Sequence, residues 1–252
     1  MIIDERIEMN FNNDIVASSL FGEQSSENLL ILAPGTLYDT ERPPEHCILR
    51  SLREKLANKA LSLMVNRTKQ SGNDIYEIPP SEQSMRIEAA LDIVLPKLNI
   101  NSISYVSHST GALTLGCLYD KYRISNNLLL TPPSPFNSAL EQIKRCTYNL
   151  MPVNVEASRP SQIAYRSREG FDYYFSDDVW YDIKMLEPVF YDFCKKSSST
   201  EIFLASNDKV FPFSDDDKKQ LHNYTEVEDT HSLRKLSSLN LISNYVISKM
   251  LI

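Results

Sequence analysis

Short apolar runs alternate with longer amphipathic stretches along most of this chain, and few folds accommodate that rhythm. Residues 29–33, Leu29-Leu30-Ile31-Leu32-Ala33, form one run, stopped by Pro34-Gly35. Others lie at 60–65, 103–106, 128–130, 200–205 and 224–227. The runs read as buried strands. Between and after them, helix-like patterns cover 45–58, 82–98, 110–122, 136–148, 179–195 and 233–250. The opening residues read as two short strands, 7–11 and 15–20, joined through Asn12-Asn13-Asp14. Strands alternating with helices imply an α/β fold, a mostly parallel central sheet of about eight strands flanked by helices. The rhythm breaks over 133–198, where little reads as a core strand.

Composition narrows the function classes. With 42% hydrophobic and 23% charged residues in 252, the chain is neither disordered, a coiled coil nor a collagen-like fibre. Its net charge of −7 argues against nucleic-acid binding, which draws its affinity from phosphate neutralisation. Cys47, Cys117, Cys146 and Cys194 lack the close spacing of a zinc or redox site and are expected to be buried, reduced thiols. No apolar run is long enough to span a bilayer, and the charged Met1–Arg6 stretch is unlike a signal peptide. A cytoplasmic protein with no membrane partner is expected.

Open parallel sheets bind ligands at the carboxyl ends of their strands, so the residues that follow each strand carry the chemistry. Residues 103–106 lead into Ser107-His108-Ser109-Thr110-Gly111 and a small-residue helix. That is the setting of a G-x-S-x-G nucleophile elbow. So tight a turn needs small residues two before and two after the nucleophile, and Ser107 and Gly111 meet that demand. Ser109 is the assigned nucleophile, because Gly111 and a helix follow it. The Thr110 N–H, at the helix start, can stabilise a developing oxyanion. Asp208 follows the run at 200–205, and His231 follows the run at 224–227. Ser, then Asp, then His is the chain order of an α/β-hydrolase triad. Asp229 competes for the acid role, but it precedes His231 by only two residues, where the imidazole is hard to reach.

On these residues the chain resembles the α/β-hydrolase superfamily, from about residue 7 to 250. The resemblance implies an oxyanion loop after an early strand, usually His-Gly-X. Pro34-Gly35-Thr36 matches it without the His. It implies that the Thr36 and Thr110 amides form the oxyanion hole. Asp208-Lys209-Val210-Phe211-Pro212 is similar to the family's acid segment, whereas the Gly that often precedes the family's histidine is missing. It also implies a core of residues 1–132 and 199–252, with residues 133–198 as a helical cap.

The expected function is a serine hydrolase cleaving an ester or thioester of a small or medium acyl substrate through an acyl-enzyme on Ser109. A lyase cleaving a C–C bond, or an acyltransferase, would use the same triad. A non-catalytic binding protein on this fold would be expected to lack a triad member. No cofactor or metal is required. The partner is a small-molecule acyl substrate, free or carrier-bound. The negative charge opposes an acidic carrier, an objection that a basic patch near Lys144, Arg145, Arg159, Arg166 and Arg168 would remove. Phe171, Tyr173, Tyr174, Phe175, Trp180 and Tyr181 are expected to pack the cap on the core and to wall a substrate pocket. His108 is expected to pack beside the elbow, His46 and His222 to lie on the surface, and Asp215-Asp216-Asp217 to start a solvated helix.

Overall fold

The computed structural model describes residues 1–12, 14–36, 47–71, 74–150, 163–166, 172–196 and 198–251. In chain order the elements begin with β1 (Ile2–Phe11), β2 (Asp14–Glu23), β3 (Asn28–Ala33), α1 (Ile48–Leu56), β4 (Leu61–Val65), β5 (Thr68–Ser71) and β6 (Asp74–Glu77). Then come α2 (Pro80–Val94), β7 (Ser102–His108), α3 (Leu115–Tyr122), β8 (Asn126–Leu130), α4 (Ala139–Leu150), β9 (Ile163–Arg166) and β10 (Asp172–Phe175). The chain ends with α5 (Asp177–Lys196), β11 (Thr200–Ala205), α6 (Asp215–Gln220), β12 (Tyr224–Val227) and α7 (Leu236–Lys249).

Eight strands form the main sheet in the order β1-β2-β4-β3-β7-β8-β11-β12. The β1–β2 and β2–β4 pairs are antiparallel, and every later pair is parallel. The apolar runs are continuous because helices cover both faces. Along β3 the side chains alternate: Leu29, Ile31 and Ala33 join one core, Leu30 and Leu32 the other. The first core is closed by residues of α2, α3, α4 and α5, the second by residues of α1 and α7. Each fully buried Leu or Ile contributes about 1.5–3 kcal/mol.

The topology selects the position of the site. From β3 the chain moves to one side to form β4, then returns to form β7 on the other side. The carboxyl ends of β3 and β7 therefore flank a switch point, where open α/β sheets bind ligands.

A second sheet, in the order β5-β6-β10-β9, was not expected. Each of its strands has four residues, too few to show a period, and the parallel β6–β10 pair joins segments about a hundred positions apart. The segment 133–198 is thus not wholly helical. Val179, Ile183, Phe190 and Cys194 of α5 lie in the same core as β3 and β7, so this helix is part of the layer over the main sheet.

Candidate active site

The elbow forms where β7 ends. Ser109 has φ 57°, the left-handed region, at the start of a short 3-10 helix (Ser109–Thr114) that runs into α3. A non-glycine residue held there is strained, and such strain clusters at functional sites. Close approach of the β3 loop makes the turn possible. A Cβ on Gly111 would lie 2.3 Å from the Ala33 carbonyl oxygen, and one on Gly35 would lie 2.7 Å from Ser109 Cβ. Neither position has room for a side chain. Ser107 is fully buried, and its hydroxyl has no hydrogen-bond partner among the described residues. Of the two serines, Ser109 is the one facing the histidine.

The structure brings Ser109, Asp208 and His231 together. His231 Nδ1 lies 2.8 Å from Asp208 Oδ2, and His231 Nε2 lies 3.1 Å from Ser109 Oγ. A carboxylate only accepts, so Nδ1 carries the proton. In the neutral ring Nε2 is then the acceptor, and the Ser109 hydroxyl donates to it. Asp208 is fixed by its other oxygen, Oδ1, which accepts from the Val210 and Phe211 amides at 2.8 and 3.0 Å. The Phe211 ring stands edge-on to His231, 5.2 Å between centroids.

Asp229 has a different task. Its carboxylate accepts from the Thr230 and Lys235 amides and from Ser238 Oγ, at 2.8, 2.9 and 2.7 Å. Burial disfavours its charge, but the Ser238 hydroxyl and the two amides outweigh that and hold its carboxyl below the ordinary range. It ties the β12–α7 connection.

His108 does more than pack. Its Nε2 lies 2.9 Å from the His231 carbonyl oxygen, to which Thr131 Oγ1 also donates at 3.0 Å. Burial, reinforced by repulsion from His231, pushes His108 down to about 4. It is neutral at pH 7, with its proton on Nε2.

The two amides expected to form an oxyanion hole are not equally open. The Thr110 N–H lies in the first helical turn, whose amides have no intrahelical partner. The Thr36 N–H, by contrast, donates to Thr110 Oγ1 at 2.7 Å, and the two threonine hydroxyls are also 2.7 Å apart. In this conformation Thr36 is not an open donor.

The remaining candidates divide. Phe175 and Trp180 stack at 5.1 Å within the core, Tyr174 stacks on Tyr76 at 5.0 Å, and Tyr181 is exposed. Phe171, His46, Arg159 and Arg168 lie outside the described residues, as do the side chains of Tyr173, Cys146 and Arg166. Lys144 sits over the Trp180 ring, and Arg145 lines a cleft of about 450 Å³ with Asn137, Ser138, Glu141, Gln142 and Pro212. His222 is exposed. Asp215 and Asp216 start α6 in solvent, but Asp217 is buried as half of a capping box with Ser214. Cys47 and Cys194 are buried, and Cys117 is partly buried. Burial raises the pKa of both Cys117 and Cys194. Arg67 and Glu77, which form a buried ion pair beside the Pro34-Gly35-Thr36 loop, carry no local sequence signal. No helix among the described residues is long and apolar enough to cross a membrane.

No protein-family model matches the chain, and no curated protein sequence matches it. Solved structures do. Est1E from Butyrivibrio proteoclasticus, also determined with ferulic acid bound, is 18% identical with a TM-score of 0.65, over 98% of this chain and 97% of that one. The thioesterase domain from the curacin biosynthetic pathway is 14% identical with a TM-score of 0.57, over 97% and 99%. The haloalkane dehalogenase DbeA from Bradyrhizobium elkani is 10% identical with a TM-score of 0.61, over 98% and 99%. At these identities the likeness is one of fold. The eight-stranded, mostly parallel sheet with helices on both faces is the α/β-hydrolase fold.

Proposed function

We propose that the protein is a serine hydrolase that cleaves an ester or thioester of a small or medium acyl substrate through an acyl-enzyme on Ser109. The observation that carries this reading is the continuous chain from Ser109 Oγ through His231 to Asp208, at 3.1 and 2.8 Å. Est1E with its ferulic acid and the curacin thioesterase domain support the substrate range by analogy of fold.

This geometry supports the following mechanism. Ser109 Oγ attacks the acyl carbon while its proton passes to His231 Nε2. Asp208 accepts from Nδ1–H and stabilises the imidazolium. The negative charge that develops on the carbonyl oxygen is met by the Thr110 N–H and, after it leaves Thr110 Oγ1, by the Thr36 N–H. Such a donor is worth about 2.7–4 kcal/mol in the transition state. Collapse of the intermediate breaks the bond to the leaving oxygen or sulfur, which takes the proton from His231. Water then attacks the acyl-enzyme, giving its proton to Nε2, and the acid leaves as Ser109 regains its hydrogen.

The test is turnover of p-nitrophenyl butyrate and of butyryl-coenzyme A by the wild type, Ser109→Ala and His231→Ala, with the products analysed. The reading predicts free butyrate from at least one substrate and a loss of kcat of roughly 10⁴-fold or more in both variants. Turnover that survives Ser109→Ala would contradict it. Acyl transfer to an added alcohol in place of free acid would move the assignment to an acyltransferase.

A further inference from the structure

Two full charges lie inside the core beside the oxyanion loop. Arg67, just after β4, and Glu77, the last residue of β6, have side chains only 1% exposed, with Arg67 Nε donating to Glu77 Oε1 at 2.5 Å. Replacing such a buried pair by apolar residues of similar volume is often neutral for stability or better. Stability alone therefore does not account for it.

The second contact of the guanidinium supplies a reason. Arg67 Nη1 donates to the Pro34 carbonyl oxygen at 3.1 Å. Pro34 opens the Pro34-Gly35-Thr36 loop. The same carbonyl abuts the elbow, since a Cβ on Gly111 would lie 2.7 Å from it. The elbow is braced in turn by the Tyr105 hydroxyl, which donates to the Gly111 carbonyl at 2.7 Å. The loop is thus clamped between a guanidinium and the nucleophile turn. Glu77 holds Nε, and the rigid planar fork then aims Nη1 at Pro34.

We propose that Arg67 is a positioning residue for the reaction. Held by Glu77, it fixes the Pro34 carbonyl and so sets the distance between the Thr36 amide and Ser109. The inference rests on the serine-hydrolase reading. Thr36 has to exchange Thr110 Oγ1 for the oxyanion without the loop drifting, and a clamped carbonyl two residues earlier provides that. Because β6 also pairs with β10, the clamp ties the oxyanion loop to the small sheet.

Arg67→Met alone removes the cation paired with the buried Glu77 carboxylate, and the protein can fail to fold for that reason. The double variant R67M/E77M removes both charges, approximates the volume and leaves the Pro34 carbonyl without its donor. R67M/E77Q serves the same purpose if the Met pair does not fold. Steady-state hydrolysis of p-nitrophenyl butyrate is measured well below the melting temperature, alongside thermal unfolding. The expected result is a kcat lower by roughly 100-fold, as for a misplacement of about 1 Å, with KM changed by less than about threefold and unfolding still cooperative. A folded double variant with wild-type kcat overturns the proposal, even if its melting temperature falls, because the pair would then be merely structural. Wild-type protein without Ser109-dependent turnover overturns the hydrolase reading itself, and this inference with it.

Discussion

The His108 ring donates from Nε2 to the backbone carbonyl of His231 at 2.9 Å. The residue just before Ser109 thereby holds the loop that carries His231. Thr131, at the end of β8, grips the same oxygen. The elbow, the β8 end and the histidine loop are therefore braced on one atom, and the Ser109–His231 distance does not depend on the side-chain contact alone.

The bracing histidine should leave a pH signature. Its pKa falls from 6.5 to about 4, mainly through burial and then through repulsion from His231. Between those values the unfolded chain binds a proton that the folded protein does not. Stability is therefore full above about 6.5 and is lost as pH falls toward 4. His108→Gln retains an N–H donor and removes the titration. Between about pH 7 and about pH 5, urea unfolding should show the wild type losing as much as about 2 kcal/mol more than the variant. Equal losses would mean that the ring titrates near its ordinary value in the fold.

The two acids near the histidine should separate cleanly. Asp208→Asn removes the acceptor that selects the imidazole tautomer, so kcat should fall by roughly 10⁴-fold with the melting temperature little changed. Asp229→Asn weakens three hydrogen bonds at the start of α7. It should cost about 1–3 kcal/mol of stability and leave kcat near wild type below the melting temperature. The reverse pattern would exchange their roles.

The two loop glycines should differ as well. A Cβ on Gly111 meets backbone, the Ala33 carbonyl oxygen at 2.3 Å, and backbone there cannot yield without moving β3. Gly111→Ala should lose more than about 3 kcal/mol or fail to fold. A Cβ on Gly35 meets the Ser109 side chain most closely, at 2.7 Å from Cβ and 3.1 Å from Oγ, with the His108 carbonyl oxygen also at 3.1 Å. Gly35→Ala should fold, with kcat lower by roughly 100-fold from the displaced nucleophile. Far-ultraviolet circular dichroism, thermal unfolding and ester turnover check both.

The sequence shows those parts of this structure that depend on local pattern. Leu29 to Ala33 is apolar at every position because both faces of β3 are covered, whereas the edge strand β12, Tyr224 to Val227, is largely exposed and carries a weaker signal. Ser109, Asp208 and His231 could be picked out because each follows a strand of the parallel half. What depends on distant pairing was not visible. The strands of the small sheet are short, and β6 meets β10 only in three dimensions. Arg67 and Glu77 look like ordinary surface charges until the fold buries them together. The engagement of the Thr36 amide depends on where the Thr110 hydroxyl points, which no spacing encodes.

The central claim is that His231 and Asp208 activate Ser109. The most direct measurement is covalent labelling with a fluorophosphonate, followed by intact mass and peptide mapping, on the wild type, Ser109→Ala and His231→Ala. The account predicts one adduct on wild-type Ser109, none on Ser109→Ala, and labelling of His231→Ala slowed by roughly 10³-fold or more. No adduct on the wild type, or an adduct on Ser107, would contradict it.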